Sequence, residues 1–218
     1  MKSTHFVTRS MANRTAVSKR PTTMPASDVT AVLRHSPWSA ETDHGLMSLI
    51  QTGNKPAFTE LARRHIPRML SFAQRYVQRS EAEDILQEAL TRIWLKANQW
   101  RDCGSSPRSW LMRIVYNLSM DSLRKQPTLS EQPIDEQAAA SNGPAQDYEQ
   151  EIKQQQLDKA MQDLPERQRS AILLTVYQAM SNREAAEVLE VSVDALESLL
   201  SRGRRSLKQN ISQQQGEA

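Results

Sequence analysis

Residues 181–208 read SNREAAEVLEVSVDALESLLSRGRRSLK, and this stretch decides the architecture of the second half of the chain. Ser181 followed three residues later by Glu184 is a capping box, in which a hydroxyl and a carboxylate satisfy the first free N–H groups of a helix. That helix is expected to end near Leu189. Ser192 is placed to cap a second, longer helix reaching about Asn210. A short helix, a tight turn and a longer helix make a helix-turn-helix, whose second helix fits the major groove. Val193, Leu196, Leu200, Leu207 and Ile211 form the stripe expected to face the core. Asp194, Glu197, Ser198, Ser201, Arg202, Arg204, Arg205 and Lys208 are left facing outward. From Arg202 onward every charged outward side chain is basic until Glu217, which suits phosphate contacts. Asp194 is read as helix stabilisation, because a carboxylate in the first turn complements the macrodipole. Glu197 has two readings, the same stabilisation or acceptance from the exocyclic amine of cytosine. Glu190 stands in the turn where many such motifs place glycine; a positive φ there costs on the order of 1 kcal/mol.

Working backward, Tyr148, Ile152, Leu157, Ala160, Met161 and Leu164 lie on one face of a helix. Pro165 starts another, through about Tyr177. Residues 126–147 hold three prolines, one glycine and no basic residue. They read as a linker that its own carboxylates extend. Before it, "SSPRSW" opens a helix with Ser106 as cap and Pro107 at the first helical position. That helix carries Leu111, Ile114, Val115 and Leu118 inward and stops before Pro127. Residues 81–97 make a helix with Ile85, Leu86, Ala89, Leu90, Ile93, Trp94 and Ala97 inward. Phe58 through Val77 follow the same periodicity, and Pro67 is expected to kink or interrupt that helix. His65 lies on the apolar stripe and reads as a packed core histidine.

The fold class is therefore all-α: two small helical domains joined by a flexible acidic linker, the second a helix-turn-helix domain. The boundaries are a disordered basic arm at 1–42, a first domain at 43–126, the linker at 127–147, the second domain at 148–211 and a tail at 212–218. Charge is segregated along these pieces. Net charge is +4 over residues 1–42, +5 over 43–125, −4 over 126–148 and −2 over 149–218, which points to separate partners for separate parts. The one cysteine, Cys103, forms no internal disulfide; it reads as an inert thiol, with oxidation sensing as the alternative. No apolar run is long enough to span a membrane and no secretory core opens the chain, so no direct membrane insertion and a cytoplasmic location are expected. Nucleophile elbows, phosphate loops and metal-ligand spacings are absent from the sequence, so neither catalytic nor metal residues, nor a cofactor, are expected and the chain does not read as an enzyme.

Two further helix faces carry candidate contacts. Asp84, Gln87, Glu88, Thr91 and Leu95 lie opposite the apolar stripe of their helix, either as a solvated face or, with Leu95 among them, as a partner surface. On the next helix Trp110, Ile114, Asn117, Asp121 and Arg124 fall in line. An aromatic among basic groups fits single-stranded nucleic acid; a core Trp beside surface charges fits equally.

The order "AEDILQE", "WLMRIVYNLSMDSLRK", an acidic connector, "LPERQRSAILL" and a C-terminal helix-turn-helix resembles bacterial RNA polymerase sigma factors. It is most similar to the extracytoplasmic-function class, which keeps only sigma regions 2 and 4. The resemblance covers roughly residues 43–211. It implies that core RNA polymerase docks on Asp84, Gln87, Glu88, Thr91 and Leu95. It implies minus-ten contacts for Arg108, Trp110, Arg113, Asn117, Asp121, Arg124 and Lys125, with the loop 98–107. It implies that the acidic linker threads the RNA path. For the helix-turn-helix it implies minus-thirty-five contacts among Ser181, Arg183, Ser192, Asp194, Glu197, Ser198, Ser201, Arg202, Arg204, Arg205 and Lys208. Promoter DNA and an anti-sigma factor are the implied further partners. Glu190 in place of Gly, and Asp194 to Glu197 where members often carry a small residue, Thr, Val and Lys, depart from the pattern. A stand-alone helix-turn-helix transcriptional regulator with a helical effector domain is the competing reading.

Overall fold

The computed structural model describes residues 38–102, 104–125 and 154–216, and every regular element among them is helical. The helices are α1 (Asp43–Gln51), α2 (Lys55–Ala73), α3 (Arg79–Lys96), α4 (Pro107–Lys125), α5 (154–162), α6 (Glu166–Ile172), α7 (Asn182–Leu189) and α8 (Val193–Gly216). The linker, Cys103 and most of the basic arm lie outside the described residues.

Local chemistry sets most boundaries. The Thr42 hydroxyl accepts from the Gly45 N–H at 3.1 Å and starts α1, and the Asn54 carbonyl oxygen accepts from the Ala57 N–H at 3.0 Å and starts α2. Ser106 receives the Ser109 N–H at 3.1 Å and caps α4, with Pro107 in its first turn. Helix α2 runs unbroken through Pro67. The proline removes one backbone bond, but Leu61, His65, Met69 and Phe72 are buried on both sides of it, and their packing outweighs an effect of roughly 3 kcal/mol.

Two other boundaries differ from expectation. The segment 38–41 is tied down rather than free. Arg64 donates to the carbonyls of Trp38, Ser39 and Glu41 at 2.8–3.0 Å while pairing with Asp43 and Glu60. Helix α8 continues to Gly216, because no breaker stands between Asn210 and that glycine. Within the predicted inward stripe of α8, Leu196 and Leu200 are buried, but Val193 is 40% exposed; it sits in the first turn, beyond the reach of the core.

After α6 the chain widens into a π turn, Leu173–Tyr177. The Gln178 N–H reaches the Leu173 carbonyl at 2.9 Å. The widening leaves the adjacent Leu173 and Leu174 both buried and turns Val176 and Tyr177 outward.

Helices α1 to α4 surround Leu46, Met47, Leu61, Phe72, Ile93, Leu111 and Val115, and α6 to α8 surround Leu173, Leu174, Val188, Leu196 and Leu200. The two groups share one continuous apolar cluster. Gly203 is where α8 crosses α6: a Cβ there would lie 3.0 Å from Ile172 Cδ1 and 3.3 Å from Gln168 Cβ.

Candidate functional site

Three solvent-facing surfaces carry the side chains singled out from the sequence. On α3 the apolar positions Ala82, Ile85, Ala89 and Ile93 turn inward. That leaves Asp84, Gln87, Glu88, Thr91 and Leu95 together on the outer face, all exposed. Leu95 is 62% exposed, and nothing within α3 covers it. Glu88 pairs with Arg92 at 2.7 Å, and Thr91 donates to the Gln87 carbonyl at 3.0 Å. These are contacts along the helix that keep the face ordered without masking it.

On α4 the structure brings together Arg113, Asn117, Asp121, Arg124 and Lys125, all exposed. Arg124 pairs with Asp121 at 2.9 Å. Trp110 does not stand out from this face. Its ring is half-buried and packs against the core with Ile114. Arg108 turns another way, half-buried, and donates to the Gln178 carbonyl. Burial and the neighbouring Arg68 hold its guanidinium below the ordinary range.

The third surface is the helix-turn-helix. Ser181 and Glu184 form the reciprocal capping box, with Ser181 Oγ accepting from the Glu184 N–H at 3.2 Å. Burial alone would raise the Glu184 carboxyl. Bonds from the Ser181 N–H and from the Ser106 and Ser181 hydroxyls outweigh it, so the pKa lies below its ordinary value. Glu190 has φ 54°, ψ 46°. That left-handed residue lets the Val191 N–H reach the Ala186 carbonyl at 3.0 Å and close α7. Ser192 Oγ then accepts from the Ala195 N–H at 3.1 Å and starts α8. Arg183, Asp194, Glu197, Ser198, Ser201, Arg202, Arg204, Arg205 and Lys208 are all exposed. Glu197 accepts a bond from Asn182 at 3.3 Å, which ties α8 to α7. That gives one of the two acids a bond within the motif that neither sequence reading included.

A set of contacts absent from the sequence reading joins α4 to α7. Ser105 and Ser109 donate to Glu187 at 3.0 and 2.7 Å, and Ser106 donates to Glu184 at 2.9 Å. Arg113 pairs with Glu190 at 2.9 Å. Arg183 donates to the Gly104 carbonyl at 3.2 Å. Gly104 has φ 85°, a backbone that favours glycine, and a Cβ there would meet the Arg183 guanidinium at 2.8 Å and push it from the carbonyl. An open cleft of about 600 Å³ lies between Arg113, Arg183, Glu187 and Glu190. The only signal these contacts leave in the sequence is the Ser-rich run before α4, which reads equally well as a cap.

The comparisons with known proteins agree with this arrangement. The sigma-70 region 2 family pattern matches residues 61–127, and that of sigma-70 region 4 matches residues 154–207. The ECF RNA polymerase sigma-E factor of Haemophilus influenzae is 26% identical over 184 residues, covering 78% of this chain and 95% of that protein. The Escherichia coli K12 sigma-E factor is 25% identical over 181 residues, covering 78% and 94%. Among solved structures, CnrH in complex with the cytosolic domain of CnrY aligns with TM-score 0.61 at 24% identity, over 78% of this chain and 97% of that one. The sigma factor RpoE in complex with the anti-sigma factor NepR from Bartonella quintana aligns with TM-score 0.58 at 23% identity, over 71% and 96%. The two structures share the fold. Region 2 followed by region 4 on one chain is the arrangement of a sigma-type transcription-initiation factor. The chain belongs to the extracytoplasmic-function class of the sigma-70 family.

Proposed function

We propose that this chain binds core RNA polymerase, directs it to specific promoters and helps to melt the DNA there. The observation that carries the reading is the outer face of α3. Carboxylates at Asp84 and Glu88 share a face with an exposed Leu95, on a helix whose opposite side buries Ala82, Ile85, Ala89 and Ile93. Covering that leucine removes apolar surface from water, and the carboxylates on the same face orient a basic partner. Asp84, Gln87, Glu88, Thr91 and Leu95 dock the polymerase. Arg113, Asn117, Asp121, Arg124 and Lys125 track the minus-ten strand, with Arg108 and Trp110 joining once their present contacts loosen. Ser181, Arg183, Ser192, Asp194, Glu197, Ser198 and Ser201 approach base edges of the minus-thirty-five element, and Arg202, Arg204, Arg205 and Lys208 take its phosphates.

Because the polymerase holds both DNA-binding parts, each works at a raised effective concentration and can bind weakly alone. That arrangement tolerates acids on the reading helix. An anti-sigma factor that covers these faces would silence the chain in the cytoplasm; one of the two aligned structures is a sigma factor held by its anti-sigma factor. Purified chain added to core polymerase on a set of promoter templates tests the proposal. Promoter-specific runoff transcripts are expected. Tight duplex binding without polymerase, and no transcript with it, would favour a stand-alone regulator instead.

A further inference from the structure

Helix α1 carries none of the side chains sent above to polymerase or DNA, yet its last residue grips the start of the loop 98–107. Gln51 Nε2 donates to the Ala97 carbonyl at 3.2 Å and to the Trp100 carbonyl at 3.0 Å, across 46 and 49 positions of sequence. An amide nitrogen has two hydrogens to give, and these bonds use both. They hold the two ends of one tight turn, Ala97–Gln99, that follows directly on α3. Ala97 and Trp100 are buried, whereas Asn98 and Gln99 between them are exposed. The clasp therefore fixes where two amide side chains leave the surface.

Neighbouring contacts serve the same turn. The Trp100 N–H closes it on the Ala97 carbonyl at 3.1 Å, and Arg101 donates to the Asn98 and Trp100 carbonyls. Those bonds lie within the loop and cannot place it against the helices. His44 of α1 sets its ring edge-on to Trp100 at 5.7 Å, with Nε2 3.7 Å from the Asp102 carboxylate. The Trp100 indole Nε1 is buried and finds no hydrogen-bond partner among the described residues. The carbonyls bonded by Gln51 are thus the hydrogen-bonded anchor of the turn to α1.

An unpaired base is read by hydrogen bonds to its edge, and an amide side chain offers both a donor and an acceptor for that purpose. Such reading needs the amides held in place before the base arrives, since a loop that visits the binding shape part of the time binds more weakly by that fraction. We propose that Gln51 is a positioning residue for minus-ten recognition: its amide holds the turn that presents Asn98 and Gln99 to an unpaired base. Strand selection then depends on Gln51, while docking of polymerase does not. That role rests on the minus-ten reading of the loop given above; the clasp itself is measurable without DNA.

The test compares the wild-type full chain with Gln51→Glu, which sets an acceptor against two carbonyls, and Gln51→Met, which keeps the length and donates nothing. Hydrogen exchange reads the clasp. In both variants the Trp100 amide is expected to exchange about three- to tenfold faster, the worth of one neutral hydrogen bond, with protection of α2 unchanged. Each chain, assembled with core polymerase, is then titrated with two fluorescein-labelled single strands. One carries the minus-ten bases of a template that yields a runoff transcript, and the other has those bases replaced. Both variants are expected to bind the native strand about three- to tenfold more weakly, while the replaced strand and the affinity for core polymerase hold. Unchanged exchange would overturn the clasp. Faster exchange with the strand preference intact would overturn the positioning role. Equal losses on both strands, or weaker polymerase binding, would make Gln51 a general stabiliser and overturn that role as well. A wild-type holoenzyme that gives no transcript, or does not prefer the native strand, would sink the sigma-factor or minus-ten reading and the positioning role with it. The exchange rates distinguish that failure from a failure of the clasp.

Discussion

Glu60 is 1% exposed and still carries a charge. Arg63 donates two bonds to it at 3.0 and 2.7 Å and Arg64 donates a third at 2.9 Å. The Arg63 bonds, followed by those of Arg64, hold its pKa at about 2 against the desolvation that would raise it. Asp43 is likewise held at about 2, chiefly by the bond to His65 at 2.7 Å and then by Arg64. Both pKa values are depressed on folding, so both groups stabilise the fold above their unfolded pKa values, and that stabilisation is lost as pH falls toward about 2. The melting temperature is expected to fall steeply between about pH 5 and pH 2, and Glu60→Gln should lower it at pH 7 while flattening the acid slope. Circular dichroism melts at several pH values check this, and equal slopes in the two proteins would refute it. Gly203 makes a second prediction at this scale. A Cβ here meets both Ile172 Cδ1 and Gln168; alanine needs only a few tenths of an ångström of give, whereas Gly203→Val adds two further methyl groups to the same crowded crossing. Valine is expected to cost about 1–3 kcal/mol, as overpacking does, read as a drop in chemical-denaturation midpoint that Gly203→Ala does not share.

At the scale of elements, α3 separates packing from function most cleanly. Its inward residues hold the core, and the hydrogen bonds and ion pairs of Gln87, Glu88 and Thr91 stay within the helix, so charge reversal at Asp84 and Glu88 should not disturb folding. Asp84→Lys with Glu88→Lys is expected to abolish co-purification with core polymerase while leaving the melting temperature within about 2 °C, since surface substitutions rarely exceed 0.5 kcal/mol. Retained association would remove the proposed docking face. This face was readable from the sequence because a helix repeats every 3.6 residues and the apolar positions identify the inner side by themselves. The caps at Ser106, Ser181 and Ser192 and the left-handed Glu190 were readable for the same local reason: each depends on residues within one turn. The π turn was not. It widens the helix over Leu173–Tyr177 with no proline or glycine inside the turn to announce it in the sequence. The orientation of Arg108 was also hidden, because the Gln178 carbonyl that draws it lies 70 residues away.

At the scale of the molecule, the contacts between α1–α4 and α5–α8 were the least legible of all, since they join serines, glutamates and carbonyls that any surface might carry. Besides the α4–α7 contacts, a second seam lies at the end of α2. Tyr76 and Ser170 share a buried hydrogen bond at 2.7 Å, Arg75 pairs with Asp158 at 3.0 Å, and the Arg169 guanidinium lies 4.8 Å above the Tyr76 ring while donating to the Arg75 carbonyl. Burial pulls the Arg169 guanidinium below its ordinary range and pushes the Tyr76 phenol up. A buried cation whose partners belong to the other helical group loses them when the groups part, so this seam couples their unfolding. The described residues, 38–102, 104–125 and 154–216, belong to one compact unit, and a single cooperative transition is expected, with calorimetric and van't Hoff enthalpies equal. Tyr76→Phe should cost only about 1 kcal/mol, because Ser170 still donates to the Glu166 carbonyl at 2.8 Å. Arg169→Met should split the transition, because it removes the ring stacking and the bond to Arg75 together. Two transitions already present in the wild-type protein would mean that the seam contributes little and that the two helical groups stand independently.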